Sequence, residues 1–505
     1  MCGIFFSLSN KDLLNKDLLK KLSDQCSHRG PDNTTTVDLS FLDKDIFINF
    51  HRLSINGLNT KSNQPFQNDK AILICNGEIY NYRELAIKYN IDLLTDSDCE
   101  IILHLYDKVD YNTLLNELDG VFSFVLFDKV NSVILIGHDP FGVRSLYWCK
   151  EDDRLCVASE MKCLVGISEK IEFFPPGSYS TYNVKTKELV VKNYYHFTYP
   201  KIDYMYDDIP RMIKQELEKA VDKRMISDRP IGCLLSGGLD SSIIAYLLSQ
   251  KIDNLKTFSI GLEGSPDLEH SKIVAEYLQT DHTTVIVSEM EMLQAIEKTI
   301  QQIESYDTTT IRASVPMYLL SEYIRDNTDI KVIFSGEGSD EASGSYLYFH
   351  KAPTPEDFQE ECIRLLKDVH FFDVLRGDKT TSGAGLEIRV PFFDKNFMKF
   401  YMSIDPKHKV VKDGMEKYLL RKAFETDLPE QVLWRRKDGF SDGVSKNENP
   451  WYEIINRYSQ ENYNLSENEM YQMFYDKYYL NLKTIPYLWL PKWIDESNPS
   501  GRLIL

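Results

Sequence analysis

Apolar and polar positions alternate with two different periods along this chain, and the change falls near residue 200. Up to that point the runs are short and strand-like: DIFINFHRLSI, KAILICNGEIY, GVFSFVLFD, SVILIGHD, LYWCKEDDRLCVAS and GSYSTYNV. Alternation with β-branched and aromatic residues predicts strands, and helical spacing occurs only near 12–25, 82–89 and 97–109. This pattern predicts two antiparallel sheets sandwiched by a few helices. From about residue 210 the grammar changes. PIGCLL, KTFSIGL, HTTVIV and KVIFSG are short apolar strands separated by helix-length segments, which predicts a doubly wound parallel sheet with crossover helices. Beyond residue 355 the spacing is mostly helical. The stretch HFTYPKIDYMYDDIPR has no sustained period and reads as the linker, giving domains of 2–200 and 205–505.

Composition narrows the class. With 505 residues, two or three domains are expected, and 43% apolar with 27% charged residues is ordinary for a globular protein. The net charge of −19 argues against nucleic-acid binding. It also requires that any anionic substrate meet locally concentrated cations. The nine cysteines form no C-x-x-C pair, which suggests neither a zinc site nor a disulfide framework. DLLNKDLLKKLSDQ carries leucines at helical spacing and reads as an amphipathic helix, not a signal peptide. With no apolar run of spanning length, a soluble, cytoplasmic protein with no membrane partner is expected.

The opening MCGIFF poses a chemical question. Cys2 is either an incidental terminal cysteine or, once Met1 is removed, a residue carrying both a thiol and a free α-amine able to take the thiol proton. A second motif, LLSGGLDSS, runs strand, glycine turn, helix. Gly237 and Gly238 let the backbone turn and aim N–H groups inward; Ser236, Ser241 and Ser242 add hydroxyls, making an anion nest of pyrophosphate size. No G-K-[ST] follows, so the loop is not of the Walker type. Asp240 in this loop, and Asp340 in FSGEGSDE, are expected to hold Mg²⁺ against phosphates. Ser335 and Gly336 would lie near the nucleotide.

With Cys2, SGGLDSS and FSGEGSDE on one chain, the sequence resembles the glutamine-dependent asparagine synthetases. SHRGPD, HRLSI, NGEIYNY, TDSDCE, YDTTTIRAS, LEIRVPFFD, WRRKDGFSDG and the tail WLPKWIDESNPSGR carry the likeness through essentially the whole chain. The resemblance implies an N-terminal-nucleophile α/β/β/α sandwich followed by an ATP-pyrophosphatase-type domain. It also implies ATP and Mg²⁺ as requirements and L-glutamine and L-aspartate as small-molecule substrates, and it is compatible with a homodimer. Cys2 would attack the glutamine amide, with the Asn76 amide and Gly77 N–H stabilising the oxyanion. Arg52, Leu53, Ser54, Ile55, Asn56, Glu78 and Asp98 would complete the glutamine pocket. Arg52 would take the α-carboxylate, and Asp98 with the backbone at Glu78 the α-ammonium. Leu234 and Ile260 would pack around adenine. Lys437 would offset charge on the α-phosphate, and Glu337 would act beside a β-aspartyl-adenylate.

Thr309, Thr310, Arg312 and Arg389 would line the aspartate region, although Arg389 could equally pair with Glu387. Ser345, Ala384 and Ser145 depart from the family's usual residues, and Ala384 puts pocket shape in question. Two other readings stay open: the same machinery amidating a different acid, and a non-catalytic sensor of ATP or glutamine.

Overall fold

GIFFSLSN forms β1 (Gly3–Asn10), the inner strand of a sheet built with β2 (Asn33–Phe41) and β3 (Lys44–Arg52). The computed structural model describes all residues except 12, 152, 480, 481, 484, 495–497 and 501–505, so the motif WLPKWIDESNPSGR and the expected helix near 12–25 fall partly outside the described residues. β4 (Phe66–Gln67), β5 (Ala71–Ile79), β6 (Gly120–Asp128) and β7 (Val133–His138) belong to a second sheet. β8 (Tyr147–Glu151), β9 (Arg154–Ala158) and β10 (Glu172–Phe173) return to the first, and β11 (Ser178–Asn183) and β12 (Leu189–Asn193) to the second. The strand orders are β10-β8-β9-β1-β3-β2 and β12-β11-β7-β6-β5-β4, with the paired strands antiparallel.

The period of two in these strands directs their faces. Ile4, Phe6, Leu8, Ile46 and Ile48 of one sheet meet Ile72, Ile74, Val125, Phe127 and Ile134 of the other. The outer face of the second sheet is covered by helices contributing Leu85, Ile101, Ile102, Leu105 and Leu114. The outer face of the first is covered by Leu19 and Leu22 of the helix Lys16–Ser23 and by Met292, Ile296, Ile300 and Trp451 from the second half. Hydrophobic burial therefore welds the halves as well as the sheets. The predicted sandwich is present. Its half-polar strands β2 and β12, and the helix Tyr111–Glu117 capped by Asp110, were not predicted.

In the second half, β13 (Ile231–Leu234), β14 (Lys256–Leu262), β15 (Asp281–Val287), β16 (Val332–Phe334) and β17 (Glu387–Arg389) form a parallel sheet ordered β15-β14-β13-β16-β17. The order reverses at β13, and a crevice opens there at the carboxyl ends of the strands. The helix Leu239–Ser249 follows β13, and Pro266–Leu278 follows β14. The 20-residue helix Thr308–Asn327 starts at the crevice with Asp307 as its cap. Later helices include Asp373–Gly383, which is buried throughout from Val374 onward. Among the described residues no helix is long and apolar enough to cross a membrane.

Candidate active site

Cys2 immediately precedes β1, with its Sγ 3.7 Å from the Leu53 carbonyl oxygen. Burial pushes its thiol up to about 11, opposed by the nearby α-ammonium group of Met1. That amine is itself buried, donates to the Leu386 carbonyl at 3.2 Å, and is lowered by burial to about 6. With Met1 in place, the amine that could take the thiol proton belongs to residue 1 and not to residue 2. Arg29 holds the Cys2 carbonyl oxygen at 2.9 Å through Nε. On β5, the Asn76 side chain is fully buried, and among the described residues neither its Nδ2 nor its Oδ1 has a hydrogen-bond partner. A buried amide left unpaired costs a kcal/mol or more, about 1–3 kcal/mol, so a bound group that pairs with it is strongly favoured.

β3 ends at Arg52, and the loop Leu53–Gly57 leaves the sheet, so the LSI of the expected strand becomes lining. Arg52 is buried. It donates through Nη1 to Asn63 Oδ1 (2.6 Å) and the Asn59 carbonyl (3.1 Å), and through Nη2 to the carbonyls of Asn56 (3.1 Å) and Gly57. These neutral acceptors fix the guanidinium without cancelling its charge. Asp98 accepts from the Ile79 N–H at 2.6 Å and from Asn56 at 3.4 Å, and Asn56 also donates to Glu78 at 2.6 Å. Burial raises the Glu78 carboxyl well above the ordinary range, and neighbouring Asp98 raises it further. Arg52, Asn56, Glu78 and Asp98 thus lie together, with a guanidinium held by neutral acceptors and two buried acids, of which Glu78 also faces Arg389 at 3.2 Å.

The second site lies in the crevice beyond β13. Leu234, Ser236, Gly238, Asp240, Ser241, Ile260, Ser335, Gly336, Glu337, Asp340 and Lys437 all line it, as do Thr309 and Thr310. Gly237 has φ +74°, and a Cβ there would meet the His270 backbone at 2.4 Å, so it shapes the turn without facing the cavity. Ser242 is also withdrawn, because its hydroxyl donates to the Gly238 carbonyl at 2.7 Å. The Thr310 hydroxyl donates to the capping Asp307 at 2.7 Å, whereas the Thr309 hydroxyl is buried and has no partner among the described residues.

The acids of this crevice are compensated by two lysines. Lys417 Nζ lies 2.6 Å from Asp240 and 2.5 Å from Asp340, and Lys437 Nζ lies 2.7 Å from Asp340 and 3.8 Å from Asp240. Burial alone would raise the Asp340 carboxyl, but the two ammonium groups reverse that and hold it well below the usual range. Burial opposes the charge on Lys437, yet Asp340 and Asp240 raise it above an ordinary lysine. Ser345, a departure from the family pattern, donates its hydroxyl to Asp340. Glu337 is raised by burial despite its ion pair with Arg376, which also binds Asp373 at 2.8 Å.

Two predicted aspartate-site residues lie elsewhere. Arg312 is buried against Glu467, at 2.8 Å from Nε and 2.5 Å from Nη2, and its remaining nitrogen binds Asn498. Arg389 is fully buried on β17, pairing with Glu387 at 2.6 Å and reaching Glu78 of the first half at 3.2 Å. Neither lines the crevice; each is buried against a carboxylate of its own, and for Arg389 the ion-pair alternative is the one observed. Ala384 packs beneath the sheet with Phe258, Ile260 and Leu386, so its small size does not reshape the cavity.

Sequence reasoning missed Lys417 and Arg376, whose surroundings carry no glycine-rich signal. Arg376 sits on the helix Asp373–Gly383 together with Asp378 and Ser382. Arg29 binds Asp378 at 2.9 Å and Ser382 at 2.9 Å, while Ser145 donates to Asp378 at 2.9 Å. One helix therefore touches both candidate sites.

No group of three or more metal-ligating side chains occurs among the described residues. Asp240 and Asp340 are two hard carboxylates already sharing cations, a donor set that fits a divalent ion only when phosphate oxygens supply further ligands.

The chain matches the family model for "Glutamine amidotransferase domain" over residues 1–195 and that for "Asparagine synthase" over 212–357 and 351–483. It is 38% identical over 560 residues to the asparagine synthetase [glutamine-hydrolyzing] of Cricetulus griseus and to that of Homo sapiens, covering 100% of this chain and 98% of each relative. Among solved structures, the NMN synthetase from Francisella tularensis aligns at 14% identity and a TM-score of 0.27, over 56% of this chain and 99% of that one. On the full-length identity and the two matched domains, the chain belongs to the glutamine-hydrolysing asparagine synthetase family.

Proposed function

We propose that the chain makes L-asparagine from L-aspartate, L-glutamine, ATP and water, releasing L-glutamate, AMP and diphosphate. Residues 2–200 act as the glutaminase and 205–505 as the synthetase, in the cytoplasm and with small-molecule substrates. The observation that carries the reading is the pairing, on one chain, of an unpartnered buried Asn76 amide in the Cys2 half with a lysine-compensated acid pair at a strand-end phosphate loop.

In the first half, Cys2 adds to the glutamine carboxamide to give a thioester and ammonia. The Asn76 amide and Gly77 N–H stabilise the oxyanion. Arg52 takes the α-carboxylate, and Asp98 with Glu78 the α-ammonium. In the second half, the carboxylate of aspartate attacks the α-phosphorus, and Lys437 offsets the charge that builds there. Glu337 stands beside the acyl-adenylate and takes a proton from the entering ammonia, a role for which its raised affinity suits it. Mg²⁺, held by Asp240 and Asp340, would neutralise phosphate charge when bound. With Arg312 and Arg389 outside the cavity, the Thr309 hydroxyl and the Arg376 guanidinium, the latter shared with Glu337 and Asp373, are lining groups that suit the amino acid's carboxylate.

The test is to supply ATP, ammonia and one acid at a time and measure diphosphate, AMP and the amino-acid product. Aspartate should give asparagine, AMP and diphosphate. ADP and orthophosphate as primary products, or turnover with another acid but not aspartate, would overturn the reading.

A further inference from the structure

The backbone of the loop Leu53–Gly57 is not satisfied within its own half. The Ser54 carbonyl accepts from Arg229 Nε at 2.9 Å, and the Ile55 carbonyl accepts from the Asp228 N–H at 3.0 Å. The Gly57 N–H donates to Asp228 Oδ2 at 2.8 Å. Three backbone groups of one five-residue loop thus find their partners on two consecutive residues of the other half. Arg229 also faces Asp32 at 3.5 Å, and Asp32 in turn accepts from the Ser54 N–H at 2.8 Å. Polar backbone groups need partners, so withdrawing these two residues would leave the loop without a fixed conformation.

What the loop fixes is Arg52. The Nη2 of Arg52 donates to the carbonyls of Asn56 and Gly57, and Gly57 has φ +66°, one of several conformations open to glycine, so its hydrogen-bond partners select it. Asp228 binds the N–H of that same glycine, so the carboxylate and the guanidinium grip one residue from its two sides. Asp228 is exposed and sits three residues before the start of β13, whose other end leads into the SGGLDSS loop.

We infer that Asp228 is a positioning residue for glutamine: contributed by the synthetase half, it sets the loop that aims Arg52 at the substrate's α-carboxylate. The inference rests on the reading of Arg52 as the carboxylate anchor. Asp228 touches neither substrate nor reacting atoms, so its effect belongs to binding and not to the chemical step.

The experiment measures glutaminase kinetics and ammonia-dependent asparagine synthesis for the full chain and three variants. Asp228→Ala should raise the glutamine KM about 10-fold, the scale of one hydrogen bond to a charged group, with kcat nearly unchanged. Ammonia-dependent synthesis, which does not use the loop, should stay at the original rate and reports that the variant is folded. Asp228→Asn keeps an acceptor for the Gly57 N–H and should restore KM to within about 3-fold of the original. Arg52→Ala should raise KM more than either. If Arg52→Ala raises KM while Asp228→Ala leaves it unmoved, or lowers kcat and ammonia-dependent synthesis together, the positioning role falls and the site reading stands. If Arg52→Ala leaves KM unmoved, the site reading falls and takes the inference with it.

Discussion

Replacing Lys417 by methionine isolates the electrostatics of the crevice. Methionine keeps the apolar stem and removes the ammonium that lies 2.6 Å from Asp240 and 2.5 Å from Asp340. Those contacts put the two carboxylate oxygens within roughly 5 Å of each other, where two unit charges at an effective dielectric of about 20 repel by about 3 kcal/mol. Lys437 remains 2.7 Å from Asp340 and offsets part of that. The expected net loss is therefore about 2 kcal/mol, read as a shift of the urea unfolding transition, followed by near-ultraviolet circular dichroism at pH 7. Adding Asp240→Asn to Lys417→Met removes one of the repelling charges and should recover at least about 1 kcal/mol of the loss. In wild-type protein the same Asp240→Asn change should destabilise, because there it removes a partner of Lys417. A double variant no more stable than Lys417→Met alone would refute the claim that carboxylate repulsion is what Lys417 relieves.

Three other outcomes are expected. Cys2→Ala should abolish glutamine-dependent synthesis and leave ammonia-dependent synthesis near its original rate, and equal loss of both in a paired assay would remove Cys2 as a dedicated nucleophile. Lys437→Ala should slow ammonia-dependent diphosphate release by about 10²-fold, the scale of one group aimed at transition-state charge, while glutaminase activity persists. His370 is buried and its affinity is lowered from 6.5 to about 3, chiefly by burial and further by His138. On acidification the unfolded chain takes up the proton first, so this residue's contribution to stability is lost as pH falls from about 6.5 towards about 3. His370→Gln should remove about 2 kcal/mol of the stability difference between pH 7 and pH 5, and an unchanged difference in urea titrations at the two values would exclude that assignment.

The sheets were legible because their strands are apolar runs with the right period. KTFSIGL and GVFSFVLFD coincide with β14 and β6 residue for residue. β17 is only three residues long and was visible only as part of a motif, while β2 opens on Asn33 and three threonines and sets Asp38 and Ser40 between its few apolar residues, so it forms no apolar run. The candidate phosphate loop stood out as a motif because glycines, serines and an acid at a strand end have few other uses. Charge pairing was not. Arg312 and Glu467 are 155 residues apart, and Lys417 and Asp240 are 177 apart, so no local pattern distinguishes a free cation from a neutralised one. The same limit hid Asp228 and Arg229, whose partners in Leu53–Gly57 lie on the other side of the linker.

The helix Asp373–Gly383 sets a condition on redesign. Arg376 meets Glu337 at the acid end, and Asp378, two residues on, anchors the arginine that holds the Cys2 carbonyl. At 1.5 Å of rise per residue those two positions are only about 3 Å apart along a rigid rod. On the proposed reaction, an engineer who alters Asp373 or Arg376 to admit a bulkier acid therefore works on the same lever that seats Cys2, the proposed nucleophile. Libraries aimed at new acids should vary Arg29, Ser145 and Ser382 together with the pocket, and should be screened with glutamine as well as ammonia. A variant chosen with ammonia alone can gain its new substrate and lose its nitrogen supply unnoticed.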